Sequence, residues 1–135
     1  VFLSIRSTLA CAGAAAALCL AAPVAHADSP GHADRGCFLA SEWSGWKSPS
    51  PSVIYLRVNV NTIYRLDLSA GSNQLQEPDV HLVSQIRGSD WICSPLDLQL
   101  EVADSLGVFR EPLIVKSITR LTPDEVKAIP AKYRP

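Results

Sequence analysis

The chain has 135 residues, with 12 Lys and Arg against 13 Asp and Glu, a net charge of −1 and 47% hydrophobic residues. That length allows one domain built on one core. A balanced charge with no basic stripe and no acidic block argues against nucleic acid as a partner and against a charged tail.

The first residues read as a leader. Val1 to Thr8 carries one cation, Arg6, and Leu9 to Leu20 is an uncharged run of mainly Ala and Leu. Pro23 then breaks the run ahead of Ala25-His26-Ala27, an A-x-A cleavage signal. Residues 1–27 are therefore expected to be a secretory signal peptide. The alternative, a membrane anchor, meets a run that is short for a span. Cys11 and Cys19 lack the context of a lipid-anchor cysteine and read as apolar leader residues. No later run is long enough to span a bilayer, so no membrane span is expected after cleavage. Residues 28–36, with His32, form a polar lead-in, and residues 37–135 a single β-rich domain, periplasmic or secreted.

Cys37 to Ala40 opens an apolar segment that runs through Trp43 and Trp46. It ends in Lys47-Ser48-Pro49-Ser50-Pro51-Ser52, expected to be a loop because proline has no N–H for a ladder. From Val53 to Leu68 the even positions Ile54, Leu56, Val58, Tyr64, Leu66 and Leu68 are apolar, and Arg57, Asn59, Asn61, Arg65 and Asp67 fall on odd ones. Period 2 predicts strands. A three-residue loop over Asn59–Asn61 keeps both even sets on one face and pairs Val58 with Thr62, Leu56 with Tyr64 and Ile54 with Leu66. The alternative is one long, bent strand.

Ser69 to Asp79 reads as a loop, and Val80 to Ile86 as a strand with Val80, Leu82 and Ile86 on one face. The stretch from Arg87 to Leu98 turns at Gly88 and Pro95 around Cys93. Asp97 to Val102 alternates cleanly, with Leu98, Leu100 and Val102 inward, and Asp104 to Gly107 makes a turn. Leu113 to Leu121 is a further strand in which Ile114 and Ile118 share the face of Lys116 and Arg120. Thr122-Pro123-Asp124-Glu125 has the form of a capping box, and Pro130 ends the short helix that it opens.

These elements predict a mainly β fold: a small antiparallel β-sandwich or partly open barrel of five or six strands with a short C-terminal helix. Cys37 and Cys93, left as a pair in an oxidising compartment, predict one disulfide. The loop they close spans more than half of the exported chain, for which the chain-entropy model gives about 4 kcal/mol. A reactive thiol or metal pair is the alternative, without a C-x-x-C to favour it.

Cys37-Phe38, Trp46, Ile54-Tyr55-Leu56-Arg57-Val58, Ile63-Tyr64-Arg65-Leu66-Asp67-Leu68, Trp91-Ile92-Cys93-Ser94-Pro95-Leu96-Asp97 and Leu121-Thr122-Pro123-Asp124-Glu125-Val126 occur in that order. The pattern resembles an uncharacterised proteobacterial family of small exported proteins that carries only a domain-of-unknown-function label. The resemblance implies export, the fold and the bridge, and it brings no catalytic residues. Some members carry a second cysteine pair, after the Leu68 strand and before the Leu113 strand. Here those places read Ser69-Ala70-Gly71-Ser72-Asn73 and Arg110-Glu111-Pro112, so both partners are absent together.

Several residues invite a chemical reading. Trp43, Trp46 and Trp91 are expected to cover the core beside the bridge; the sharper reading has them stacking on a sugar or a partner. Asp90 and Asp97 flank the Cys93 turn, where carboxylates commonly serve turn chemistry and, as a spaced pair, could serve a weak hydrolase. His81 is a lone strand histidine without a second imidazole near it. Arg57 and Arg65 are expected close together on the outer face of the hairpin, with Asp67 able to neutralise one of them, and would suit an acidic partner group.

No catalytic motif, metal site or cofactor is indicated, and the expected function is a non-enzymatic interaction or binding module of the envelope, with an envelope protein as partner. The alternatives are a periplasmic inhibitor of an envelope hydrolase that presents a loop over Ser44–Ser52, and the weak hydrolase using Asp90 and Asp97. Partner identity and oligomeric state are not encoded in any motif.

Overall fold

The computed structural model describes residues 36–86 and 88–135. The expected leader, Cys11, Cys19, His32 and nearly all of the lead-in lie outside the described residues.

The fold is mainly β. Its strands are β1 Phe38–Leu39, β2 Trp43–Ser50, β3 Val53–Val58, β4 Thr62–Leu68, β5 Val80–Gln85, β6 Trp91–Ile92, β7 Gln99–Asp104, β8 Arg110–Leu113 and β9 Val115–Arg120, followed by helix α1, Pro123–Ala128. The expected five or six strands become nine among the described residues. The two-residue pieces β1 and β6 are too short for a periodicity signal, the Trp43 segment is itself a strand, and the Leu113–Leu121 segment divides in two.

All pairings are antiparallel. One sheet has the order β2-β3-β4-β9, another β5-β7-β8, and β1 pairs with β6 alone. The larger sheets are continuous through Ile114, where β8 leaves Leu100 as the partner of Leu113 and β9 takes up Leu68 as the partner of Val115. The chain thus makes one strip, β2-β3-β4-β9/β8-β7-β5, whose two ends are unpaired among the described residues. No closed barrel forms among these strands, in keeping with the expected sandwich or partly open barrel.

Alternation places the core. Ile54, Leu56, Val58, Tyr64, Leu66 and Leu68 of the hairpin meet Leu98, Leu100, Val102, Leu113 and Val115 in a single buried cluster that also takes in Phe38 and Ile92. The β3–β4 register pairs Val58 with Thr62, Leu56 with Tyr64 and Ile54 with Leu66, as the three-residue loop requires. Asn59 holds the left-handed backbone of that loop, at φ 56°.

The Lys47–Ser52 run is not a loop. β2 continues to Ser50, because an edge strand tolerates a proline, here at a register shift between Lys47 and Ser50. Ser48 Oγ lies 2.6 Å from Ser50 O and 2.9 Å from Val53 O, and Gln76 Nε2 donates to it at 3.2 Å. Ile86 lies beyond the end of β5 and is 45% exposed, whereas Val80 and Leu82 pack against the core.

A bulge explains the uneven alternation of the last strand. Leu68 pairs with Val115 and Asp67 with Ser117, so Lys116 is an extra residue. The phase shifts there, and Val115 and Ile118 both reach the core side.

The Cys37–Cys93 disulfide closes beside the β1–β6 pair. Helix α1 has the expected box: Thr122 N–H donates to Glu125 Oε2 at 2.7 Å and Glu125 N–H to Thr122 Oγ1 at 3.4 Å. It lies over the outer face of the hairpin, where Ile63, an odd-position residue, and Ile129 are buried.

Candidate binding site

The unpaired ends of the strip, β2 and β5, border a groove of about 520 Å³. β2 contributes Trp43, Gly45 and Trp46, and β5 contributes His81, Leu82 and Ser84, with Ile86 just beyond. Two tryptophans three positions apart would leave an uninterrupted strand on opposite faces. Here Trp43 pairs with Val58 and Gly45 with Arg57, so Ser44 is a bulged residue that resets the phase. Trp46 then stands opposite Leu56, on the same core-facing side as Trp43. Ser44 Oγ holds the bulge by donating to Asn59 O at 3.1 Å. Both indoles are half-buried, packed on the core and open to the groove.

The opposite wall is β5, an edge strand held only by β7. Ser84 stands opposite Leu100, and its Oγ is buried without a hydrogen-bond partner among the described residues. A second hollow, of about 390 Å³, continues past Trp46 and Val80 to Lys132 and Tyr133. In that hollow the β2 edge is covered in part, since Gln76 Nε2 donates to the Ser48 carbonyl at 3.3 Å.

Trp91 sits in β6 opposite Leu39, with its N–H donating to Ser89 Oγ at 3.2 Å, and does not line the groove. His81 lines it as a lone imidazole, and no cluster of three or more His, Cys, Asp or Glu able to hold a metal occurs among the described residues.

Asp97 belongs to the 3-10 turn Pro95–Asp97, not to the strand that follows. Its carboxylate accepts from the N–H groups of Cys93 at 3.0 Å and Ser94 at 2.8 Å. Those bonds hold its pKa below the usual carboxylate range. Asp97 therefore serves the turn beside the disulfide. Asp90 contributes its backbone carbonyl, which accepts from Ala40 N–H at 2.9 Å. The Ser44–Ser52 segment offers no free inhibitory loop either, since all but Pro51–Ser52 is strand.

Arg57 and Arg65 both lie on the outer face of the hairpin, opposite Ile63 and Tyr55. The structure separates their roles. Arg65 is bound to Asp67, Nη2 to Oδ1 at 2.8 Å, and Asp67 Oδ2 also accepts from Ser117 Oγ at 3.0 Å. Arg57 borders a hollow with Asn61, Val126 and Arg134, while Arg65 borders another with Tyr55, Glu125 and Ile129.

One tie had no sequence signal. Ser72 Oγ donates to Glu111 Oε2 at 2.7 Å. This bond joins the segment after β4 to β8. No helix among the described residues is long and apolar enough to cross a membrane. No family model, curated protein or solved structure matches this chain.

Proposed function

We propose that this chain is an exported, non-enzymatic binding module of the cell envelope, related to the small exported family it resembles, and that it receives an extended segment of an envelope protein at the β2–β5 seam. The observation that carries the reading is the seam itself: two edges that are unpaired among the described residues flank a groove walled by Trp43 and Trp46. An added strand takes up edge N–H and C=O groups, and aromatic walls supply much of the buried area. The Cys37–Cys93 bridge supports an extracytoplasmic location, because such bonds persist in oxidising compartments.

The test is site-specific photo-crosslinking in intact cells. A photoreactive residue at His81, inside the groove, is expected to capture one reproducible envelope protein. The same residue at Lys116, on a bulge remote from the groove, is expected not to. Trp46→Ala should abolish the His81 adduct while leaving the circular dichroism spectrum of the protein unchanged. Equal capture from both positions, or none from either, overturns the assignment. A hydrolase as the captured protein, inhibited by the intact module, would turn the reading to the inhibitor.

A further inference from the structure

The end of the β3–β4 hairpin and helix α1 enclose two hollows that meet at Asn61 and Val126. The charged side chains lining them are Arg120 and Lys127 on one side and Arg57 and Arg134 on the other. All four are cations, on a chain whose net charge is −1. The acidic residues of the helix do not enter either hollow. Glu125 is engaged with Thr122, and Asp124 with Lys127 at 3.1 Å on the exposed side.

Three of the four cations are not neutralised internally. The ion pairs among the described residues are Arg65–Asp67, Arg110–Glu101 and Lys127–Asp124. Arg134 is held in place, with Nη2 donating to the carbonyls of Lys127 at 3.0 Å and Ile129 at 2.8 Å. That leaves the rest of its planar fork for an outside acceptor. Arg57 is rooted in a central strand, paired on both sides. Guanidinium groups fixed in this way suit carboxylates better than mobile ammonium groups do.

The arrangement also chooses the occupant. Each hollow is lined by two cations and the two hollows share Asn61 and Val126, so an occupant that uses both carries two acidic groups. An extended chain carries same-face side chains about 7 Å apart, and so can lay one acidic group in each hollow.

We propose that these two hollows form one docking site for an acidic, extended segment of a partner protein, with Arg57 and Arg134 receiving one carboxylate and Arg120 and Lys127 another. The site is separate from the β2–β5 seam, so its failure and that of the seam are distinguishable.

Random peptides displayed on an array and probed with the intact, disulfide-bonded chain test the proposal. The bound set is expected to be enriched in Asp or Glu at alternate positions. The best such peptide, titrated into the wild-type chain, should shift the amide resonances of Arg57, Asn61, Arg120 and Val126. Arg57→Gln with Arg120→Gln should weaken it by roughly tenfold or more, and Lys47→Gln with Lys116→Gln, an equal loss of charge elsewhere, should not. Trp46→Ala should leave this affinity unchanged. No acidic enrichment, shifts elsewhere on the surface, or equal losses from the two double variants overturns the proposal. Full competition by inorganic phosphate would assign the site to a small anion instead, and preferential binding to anionic phospholipid vesicles would assign it to a membrane. The wild-type resonance shifts keep the test decisive even if a variant fails to fold.

Discussion

Asn59 does two jobs with one backbone conformation. Among the described residues it is the non-glycine residue with positive φ. Its N–H donates to Glu42 O at 2.8 Å, its Nδ2 to Glu42 Oε2 at 3.0 Å, and its carbonyl accepts from Ser44 Oγ. The loop that sets the hairpin register therefore also anchors the start of β2 and the Ser44 bulge that aligns Trp43 with Trp46. A left-handed backbone costs other L-residues about 1–2 kcal/mol. Asn59→Ala should accordingly lose about that much stability in urea denaturation. Asn59→Gly keeps the conformation and gives up only an exposed side-chain bond, so its loss should be smaller. An equal loss in the two variants would mean that the bond to Glu42, rather than the backbone, holds the loop.

The Cys37–Cys93 bridge stabilises elements that could not persist alone. β1 and β6 have two residues each, and their pairing is Phe38 with Ile92 and Leu39 with Trp91. Replacing both cysteines by serine should lower stability by up to about 4 kcal/mol. Hydrogen exchange should show the β1–β6 amides losing protection first. Uniform loss of protection across both larger sheets would contradict that placement of the bridge. Elements of this kind mark how far the sequence was readable. β3, β4 and β7 declared themselves because each has one face on the core, which imposes period 2; α1 did so because its cap is local chemistry between Thr122 and Glu125. The bulge at Ser44 was not readable, and the one at Lys116 showed only as a fault in alternation, since a bulge is decided by pairing with a partner strand. The same holds for Pro49, admissible in β2 because β2 is an edge whose register shifts there, and for the change of sheet at Ile114. The candidate site was half legible. Trp43, Trp46 and Arg57 stood out as residue types, but the groove needed β5 opposite β2, and the partners of Arg57 come from the far end of the chain.

At the scale of the whole molecule, the described residues share one core rather than one for each sheet. Ile54, Leu56 and Leu66 from the four-stranded side and Leu100, Val102 and Leu113 from the three-stranded side belong to the same buried cluster. The strip is continuous through Ile114, where Ser69 N–H donates to the Ile114 carbonyl at 2.8 Å. Opening the seam between β2 and β5 therefore exposes that core from its edge without dividing it. Unfolding should be a single transition, in which tryptophan fluorescence, reporting on Trp43 and Trp46 at the seam and on Trp91 in β6, and far-ultraviolet circular dichroism, reporting on all the strands, coincide in urea. Leu56→Ala on one side and Leu100→Ala on the other should each cost about 2–5 kcal/mol, because both side chains are buried and leave cavities in a shared core. Each variant should move both signals together. A Leu100→Ala variant that shifted the circular dichroism transition but left the fluorescence transition in place would show that β5-β7-β8 unfolds by itself. The seam would then be a boundary between two units, and a strand bound there would join them instead of extending one continuous strip.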